Sequence, residues 1–132
     1  MRQGLRVLVA EDDAVIGLAV EAVLGEYGCS VLLAGGVDVA LKIADQIDTL
    51  DLAIVDMQLA DGSGRSLVDR LRARRPALPV IISTGYALSA IDQAALASAG
   101  VPTFLLQKPW SEAELVGVLE EATEPSPAPA LR

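Results

Sequence analysis

Four places in this chain carry side chains that could do chemistry together: Glu11-Asp12-Asp13, Asp56, Thr84 and Lys108. Carboxylates brought close to one another repel, so they take up a proton or bind a cation. Hard oxygen ligands that leave positions open for water and phosphate suit Mg²⁺. A carboxylate such as Asp56 can also act as a nucleophile and form an aspartyl phosphate. That transfer is mainly a matter of positioning and charge neutralisation. Mg²⁺ would cover part of the charge on the phosphoryl oxygens, Lys108 would pair another oxygen as a point charge, and the Thr84 hydroxyl could donate to a third. Lys108 is one of only two lysines, and it sits between the run Phe104-Leu105-Leu106-Gln107 and Pro109-Trp110. A desolvated ammonium there needs anionic partners, and the acids supply them.

Each group taken singly has a plain structural reading. Glu11-Asp12-Asp13 could start a helix, where acids complement the dipole. Asp56 could be a turn residue, Thr84 a satisfied hydroxyl at a strand end, and Lys108 a surface lysine with a buried stem. Four such groups at successive strand ends are harder to dismiss.

The elements that would position them alternate in type. Residues 5–10 form a short apolar run broken only by Arg6, as in a strand covered on both faces. Residues 14–27 carry a helical stripe at Val15, Ile16, Ala19, Val20, Val23 and Leu24, and Gly28 follows as a stop. Further strands are expected at 30–34, 52–55, 79–83 and 103–107, and further helices at 37–47, 66–74, 89–99 and 111–122. Ser111-Glu112-Ala113-Glu114 has the form of a capping box. Five strands alternating with five helices imply right-handed crossovers and a parallel sheet covered on both faces. Such sheets bind ligands at the carboxyl ends of their strands, which is where the acids, the hydroxyl and the lysine all fall.

Composition narrows the class. A chain of 132 residues suffices for one domain with a real core. Apolar residues make up 52% but only four are aromatic, so the core must be aliphatic. The net charge of −8 argues against a nucleic-acid surface and against an anionic membrane. The single cysteine, Cys29, excludes an intramolecular disulfide and reads as a small core residue. No run reaches membrane-span length and no signal-peptide pattern opens the chain, so a soluble cytoplasmic protein is expected. Residues 124–132 change to a proline- and alanine-rich composition without a core-forming pattern, and read as a disordered tail or linker.

With "RVLVAEDD", "LAIVDMQLADGSG", "PVIISTGYA" and "LLQKPW" in this order, residues 5 to 122 resemble a response-regulator receiver domain of two-component signalling. The resemblance implies a flavodoxin-like (βα)5 fold with strand order 2-1-3-4-5, over residues 1–123. It implies that Asp56 accepts a phosphoryl group from a histidine kinase or a histidine phosphotransfer protein. Glu11, Asp12 and Asp56 would hold Mg²⁺ together with the Gln58 backbone carbonyl, Asp12 being the direct ligand of the acidic pair. Thr84 and Lys108 would contact the phosphoryl group, and the Lys108-Pro109 bond would be cis. Asp13 matches no ligand position and would begin the first helix. The module would regulate a downstream protein, as a monomer or a homodimer, and would catalyse only its own phosphorylation and dephosphorylation. The "STGYA" segment is similar to that of a subgroup of stand-alone receivers with a Phe-Ala-Thr-Gly-Tyr-like motif.

Departures from the family pattern carry expectations of their own. Ala60 replaces the proline common after the acceptor, which implies a looser loop. Leu105 takes the usual place of a switch aromatic, with Phe104 one residue earlier, so signalling is expected to run through Thr84 and the segment after it. Among rivals, a haloacid-dehalogenase-like phosphatase would want a second aspartate where Gln58 stands. A flavin site would not tolerate Glu11-Asp12-Asp13 in its phosphate loop. A phosphorylation-independent binding module would be expected to lack one of the key groups. A receiver cut from a hybrid kinase or larger regulator fits the same residues.

Overall fold

The computed structural model describes residues 4–85 and 102–123. Strand β1 (Arg6–Ala10) leads into helix α1 (Ala14–Glu26), then β2 (Ser30–Ala34), α2 (Val37–Gln46) and β3 (Leu52–Asp56). A small hairpin, β4 (Gln58–Leu59) and β5 (Gly62–Ser63), precedes α3 (Gly64–Arg74). Strands β6 (Val80–Thr84) and β7 (Thr103–Gln107) follow, and then the last described helix, α4 (Glu112–Thr123). The expected helix at 89–99 and the tail at 124–132 lie outside the described residues.

The main sheet is parallel, in the order β2-β1-β3-β6-β7. Counting only the strands of that sheet, this is the expected order 2-1-3-4-5. Burial follows position. Every residue of the inner strands β3 and β6 is buried, whereas the edge strands β2 and β7 are buried only in part. Strand alternation then divides the core in two. Leu8, Ala10, Ala53, Val55, Val80 and Ile82 face α2 and α3, meeting Val37, Ala40, Leu41 and Ala44 of one helix and Leu67, Val68 and Leu71 of the other. Val7, Val9, Leu52, Ile54, Ile81 and Leu106 face α1 and α4, meeting Val20 and Leu24, and Leu115 and Leu119.

Local signals explain most boundaries. Asp13 caps α1, its carboxylate accepting from Val15 N at 2.9 Å and Ile16 N at 3.3 Å. Gly28, at φ +80°, ends the same helix in a conformation that side chains resist. The capping box of α4 is formed: Glu114 N donates to Ser111 Oγ at 3.1 Å and Ser111 N to Glu114 Oε1 at 3.0 Å. Two expectations shift. Helix α3 begins at Gly64 rather than at residue 66, because the Ser63 hydroxyl caps it by accepting from Ser66 N. The stripe of α1 is rotated: Gly17, Val20 and Leu24 are buried, while Val15 is 77% exposed and Ala19 also faces solvent. Cys29 is half-buried against the α1 side of the core, and burial and then Asp51 push its thiol above the ordinary value.

Candidate acidic site at the strand ends

Three strand ends place the chemistry. Glu11 follows β1, its own N–H fixed on the Ala34 carbonyl at 3.0 Å. Asp56 is the last residue of β3 and 7% exposed. Lys108 follows β7, and its N–H donates to the Thr84 carbonyl at 2.7 Å, which links the ends of β6 and β7. From there the Lys108 ammonium donates to Glu11 Oε1 at 2.9 Å and to Asp56 Oδ2 at 3.2 Å. The other oxygens of the two buried carboxylates are also held: Asp13 N donates to Glu11 Oε2 at 3.2 Å and Gln58 N to Asp56 Oδ1 at 3.0 Å. The lysine therefore faces the acids, across 97 and 52 residues of sequence.

Asp12 completes the cluster from an exposed position. One carboxylate oxygen from each of Glu11, Asp12 and Asp56 lies within 4.8 Å of the others. Lys108 offsets only one of these three charges. Burial pushes the Glu11 carboxyl above its ordinary value, with Asp56 adding to the rise and the Lys108 bond opposing it. Burial pulls Lys108 down, yet its bonds and charge interactions with Glu11 and Asp56 together hold it above the ordinary lysine value. Excess carboxylate charge, hard oxygen donors and one open, solvent-facing acid fit a small divalent cation.

Of the residues singled out in the sequence, Glu11, Asp12, Asp56 and Lys108 converge here. Gln58 lies on β4 with its N–H on Asp56. Thr84 is 1% exposed at the end of β6, beside Asp56 through the pairing of Asp56 with Ser83. The Lys108-Pro109 peptide is cis, as the resemblance implies.

The loop after Asp56 is not left loose by Ala60. It folds into the β4–β5 hairpin, and the Asp61 carboxylate anchors it to the start of α2. Its far end passes so close to the acceptor strand that a Cβ on Gly64 would stand 2.7 Å from Met57 Cα. A third unforeseen feature is Ser83, 4% exposed, whose hydroxyl has no hydrogen-bond partner among the described residues. It lines a small pocket with Glu11, Asp56 and Trp110.

Residues 7–120 match the family model described as the response regulator receiver domain. The chain belongs to the response-regulator receiver family. Receiver domains of this family are signalling modules of two-component systems, phosphorylated on aspartate and generally binding Mg²⁺ in the acidic site. Among curated relatives, the transcriptional regulatory protein ZraR of Salmonella typhimurium is 30% identical over 124 residues. That match covers 92% of this chain but 27% of ZraR, so the chain spans about a quarter of that relative's length. Among solved structures, a CheY-like receiver from Methanospirillum hungatei superposes with a TM-score of 0.81 at 26% identity, covering 90% of this chain and 93% of that one. The receiver domain of a sensor histidine kinase from Pseudomonas aeruginosa, with magnesium coordinated in its active-site cleft, gives 0.76 at 29% identity, over 91% and 98% of the two chains. No helix among the described residues is long and apolar enough to cross a membrane.

Proposed function

We propose that this receiver takes a phosphoryl group on Asp56 from a phosphohistidine and passes the resulting change to a partner protein. The observation that carries the reading is the buried Asp56 carboxylate held between the Gln58 N–H and the Lys108 ammonium, beside Glu11 and Asp12. An Asp56 oxygen attacks the phosphorus, forming the acyl P–O bond. The P–N bond of the donor breaks and its electron pair returns to the donor's imidazole. This chain contains no histidine, so that imidazole comes from another protein, a histidine kinase or a histidine phosphotransfer protein. Lys108 exchanges the Asp56 oxygen it binds for a phosphoryl oxygen, and the Thr84 hydroxyl turns to another.

Glu11, Asp12 and Asp56 would hold Mg²⁺ with the Gln58 carbonyl, Asp12 as the direct ligand of the acidic pair. The ion, when bound, neutralises charge on the phosphoryl oxygens. Beside Lys108 lies an apolar groove lined by Val15, Ile16, Ala19, Pro109 and Trp110, which offers a donor protein a surface to dock on. We place the receiver unit in residues 1–123, with 124–132 as a tail or linker. The protein works in the cytoplasm on protein partners, as a monomer or homodimer, and turns over no substrate but itself. The same reading holds if the receiver belongs to a hybrid kinase or a larger regulator.

Incubation with phosphoramidate and Mg²⁺ tests this. One phosphoryl group is expected by intact mass, on the peptide containing Asp56, and none in Asp56→Asn. Equal labelling of the variant on that peptide sinks the assignment.

A further inference from the structure

Helix α2 starts without a cap of its own. Its N-cap residue is Gly36, extended at φ −170° and ψ −178°, which offers no side chain to the free N–H groups of the first turn. Those groups find a partner elsewhere. Val37 N donates to Asp61 Oδ1 at 2.8 Å, and Asp38 N donates to Asp61 Oδ2 at 3.2 Å, from 24 and 23 residues away. Two glycines make the approach possible. A Cβ on Gly36 would lie 2.7 Å from Asp61 Oδ1, and one on Gly62 would lie 3.1 Å from Val37 Cγ2. The two backbone bonds, Val37 first, hold the Asp61 carboxyl below its ordinary value.

Asp61 sits at the turn of the β4–β5 hairpin, and that hairpin begins at Gln58. Gln58 N is the donor to Asp56 Oδ1, which leaves Oδ2 to Lys108. The carboxylate of Asp61 thus connects the first turn of α2, through a hairpin only two residues wide on each strand, to one oxygen of Asp56. We infer that Asp61 is a positioning residue for phosphoryl transfer: its grip on α2 sets the register of the hairpin, and so the orientation of the Asp56 carboxylate and the place of Gln58. This rests on the reading of Asp56 as the acceptor.

A cap that served stability alone would look the same in a melting curve, so the test needs a comparator. The other end of α2 supplies one. Arg75 Nη2 donates to the Ala44 and Ile47 carbonyls at 2.9 and 2.7 Å, closing that end with no connection to Asp56. Phosphorylation by phosphoramidate is followed against Mg²⁺ concentration in wild type, Asp61→Ala, Asp61→Asn and Arg75→Ala, with thermal melts and amide NMR spectra alongside. Asp61→Ala should raise the Mg²⁺ concentration for half-maximal rate by about tenfold, the range seen when a group supporting metal ligands is removed. Asp61→Asn keeps one acceptor oxygen and should fall between. Both should shift the Gln58 amide resonance. Arg75→Ala should lower the melting temperature and leave the Mg²⁺ curve and the Gln58 resonance in place. The inference is overturned if Asp61→Asn and Asp61→Ala phosphorylate like wild type, or if all three variants slow in proportion to lost stability. Wild type unlabelled at Asp56 overturns the functional reading itself, and the inference with it.

Discussion

On the face of the sheet that carries α2 and α3, polar side chains reach across elements to backbone groups. Arg72 spans from α3 to the Leu78 and Pro102 carbonyls and the Thr103 hydroxyl, at 3.2, 3.1 and 2.9 Å. Arg75 holds one end of α2 and Asp61 the other. On the face that carries α1 and α4, the contacts are mainly apolar, and α1 turns Val15 and Leu18 to solvent at 77% and 58% exposure. The described side-chain hydrogen bonds on that side include helix caps, the Thr123 hydroxyl on the Leu119 carbonyl within α4 at 2.8 Å, and the Lys108 contacts at the site itself. Directional bonds fix the first face against sliding. The second leaves apolar surface beside Lys108, at Val15, Ile16, Ala19, Pro109 and Trp110. A module that must hold one geometry and also exchange partners gains from separating the two tasks.

Core truncation should show the faces to be alike beneath their polar ties, and this is the largest effect expected. Leu71 and Leu119 are both fully buried, one on each face. Replacing either by alanine should cost about 2–5 kcal/mol in a urea melt. Costs that differ by more than that spread would show that one core is packed far more tightly than the other.

The next effect should separate the faces. Arg75→Ala deprives the Ala44 and Ile47 carbonyls of their donor, and unpaired groups of this kind cost about 1–3 kcal/mol. Val15→Ser or Leu18→Ser removes surface that is already in water and should change stability by no more than about 0.5 kcal/mol. Those two serine variants should instead slow transfer from a protein phosphodonor while leaving phosphorylation by phosphoramidate unchanged. Slowing of both reactions alike would remove the case for docking on α1.

How far the sequence foretells this contrast depends on how local each feature is. The five parallel strands and the meeting of Glu11, Asp12, Asp56 and Lys108 were legible, because apolar runs locate strands and parallel topology puts their ends together; the strand order came only with the resemblance to the receiver family. The site assembles across 97 residues, yet each member carries its own signal at a strand end. The hairpin after Asp56 was not legible, since its two strands are two residues each and hold no periodic pattern. Nor was the Asp61 tie: an aspartate in a loop looks like a turn residue, and nothing in the sequence pattern joins it to the start of α2. Val15 was placed on the wrong face of α1 because an aliphatic residue in the first turn fits the helical stripe and gives no sign that the sheet has ended. Leu105 is exposed, and Phe104 is half-buried on the side of Leu106. The segment expected to carry the switch, 85–99, is described only at Gly85.

Acid should probe the polar face at one residue. Asp61 is ionised and hydrogen-bonded in the folded chain, with its carboxyl below the ordinary 3.8. Its contribution is therefore complete above the unfolded value and is lost as pH falls through the folded one. Relative to Asp61→Asn, wild type should hold an advantage at pH 6 that shrinks below pH of about 4. Parallel stability–pH curves for the two proteins would show that the charge on Asp61 contributes nothing.

The smallest effect should come from the most conspicuous ion pair on that face. The Arg74 guanidinium meets Asp45 with two nitrogens, joining α3 to α2, and Arg74 also donates to the Arg70 carbonyl at 3.1 Å. The geometry is good, but the side chains are 38% and 53% exposed. Water screens the attraction, and two long side chains lose freedom to make it. A double-mutant cycle of Arg74→Ala and Asp45→Ala should give a coupling of about 0.2–1 kcal/mol, and less in high salt. The neighbouring Arg75, bonded to carbonyls rather than to a charge, should lose little of its effect in the same salt. If the Arg74–Asp45 coupling instead exceeded the cost of Arg75→Ala, charge pairing would be what fixes α2 to α3. The contrast between the faces would then be one of surface electrostatics rather than of capped helix ends.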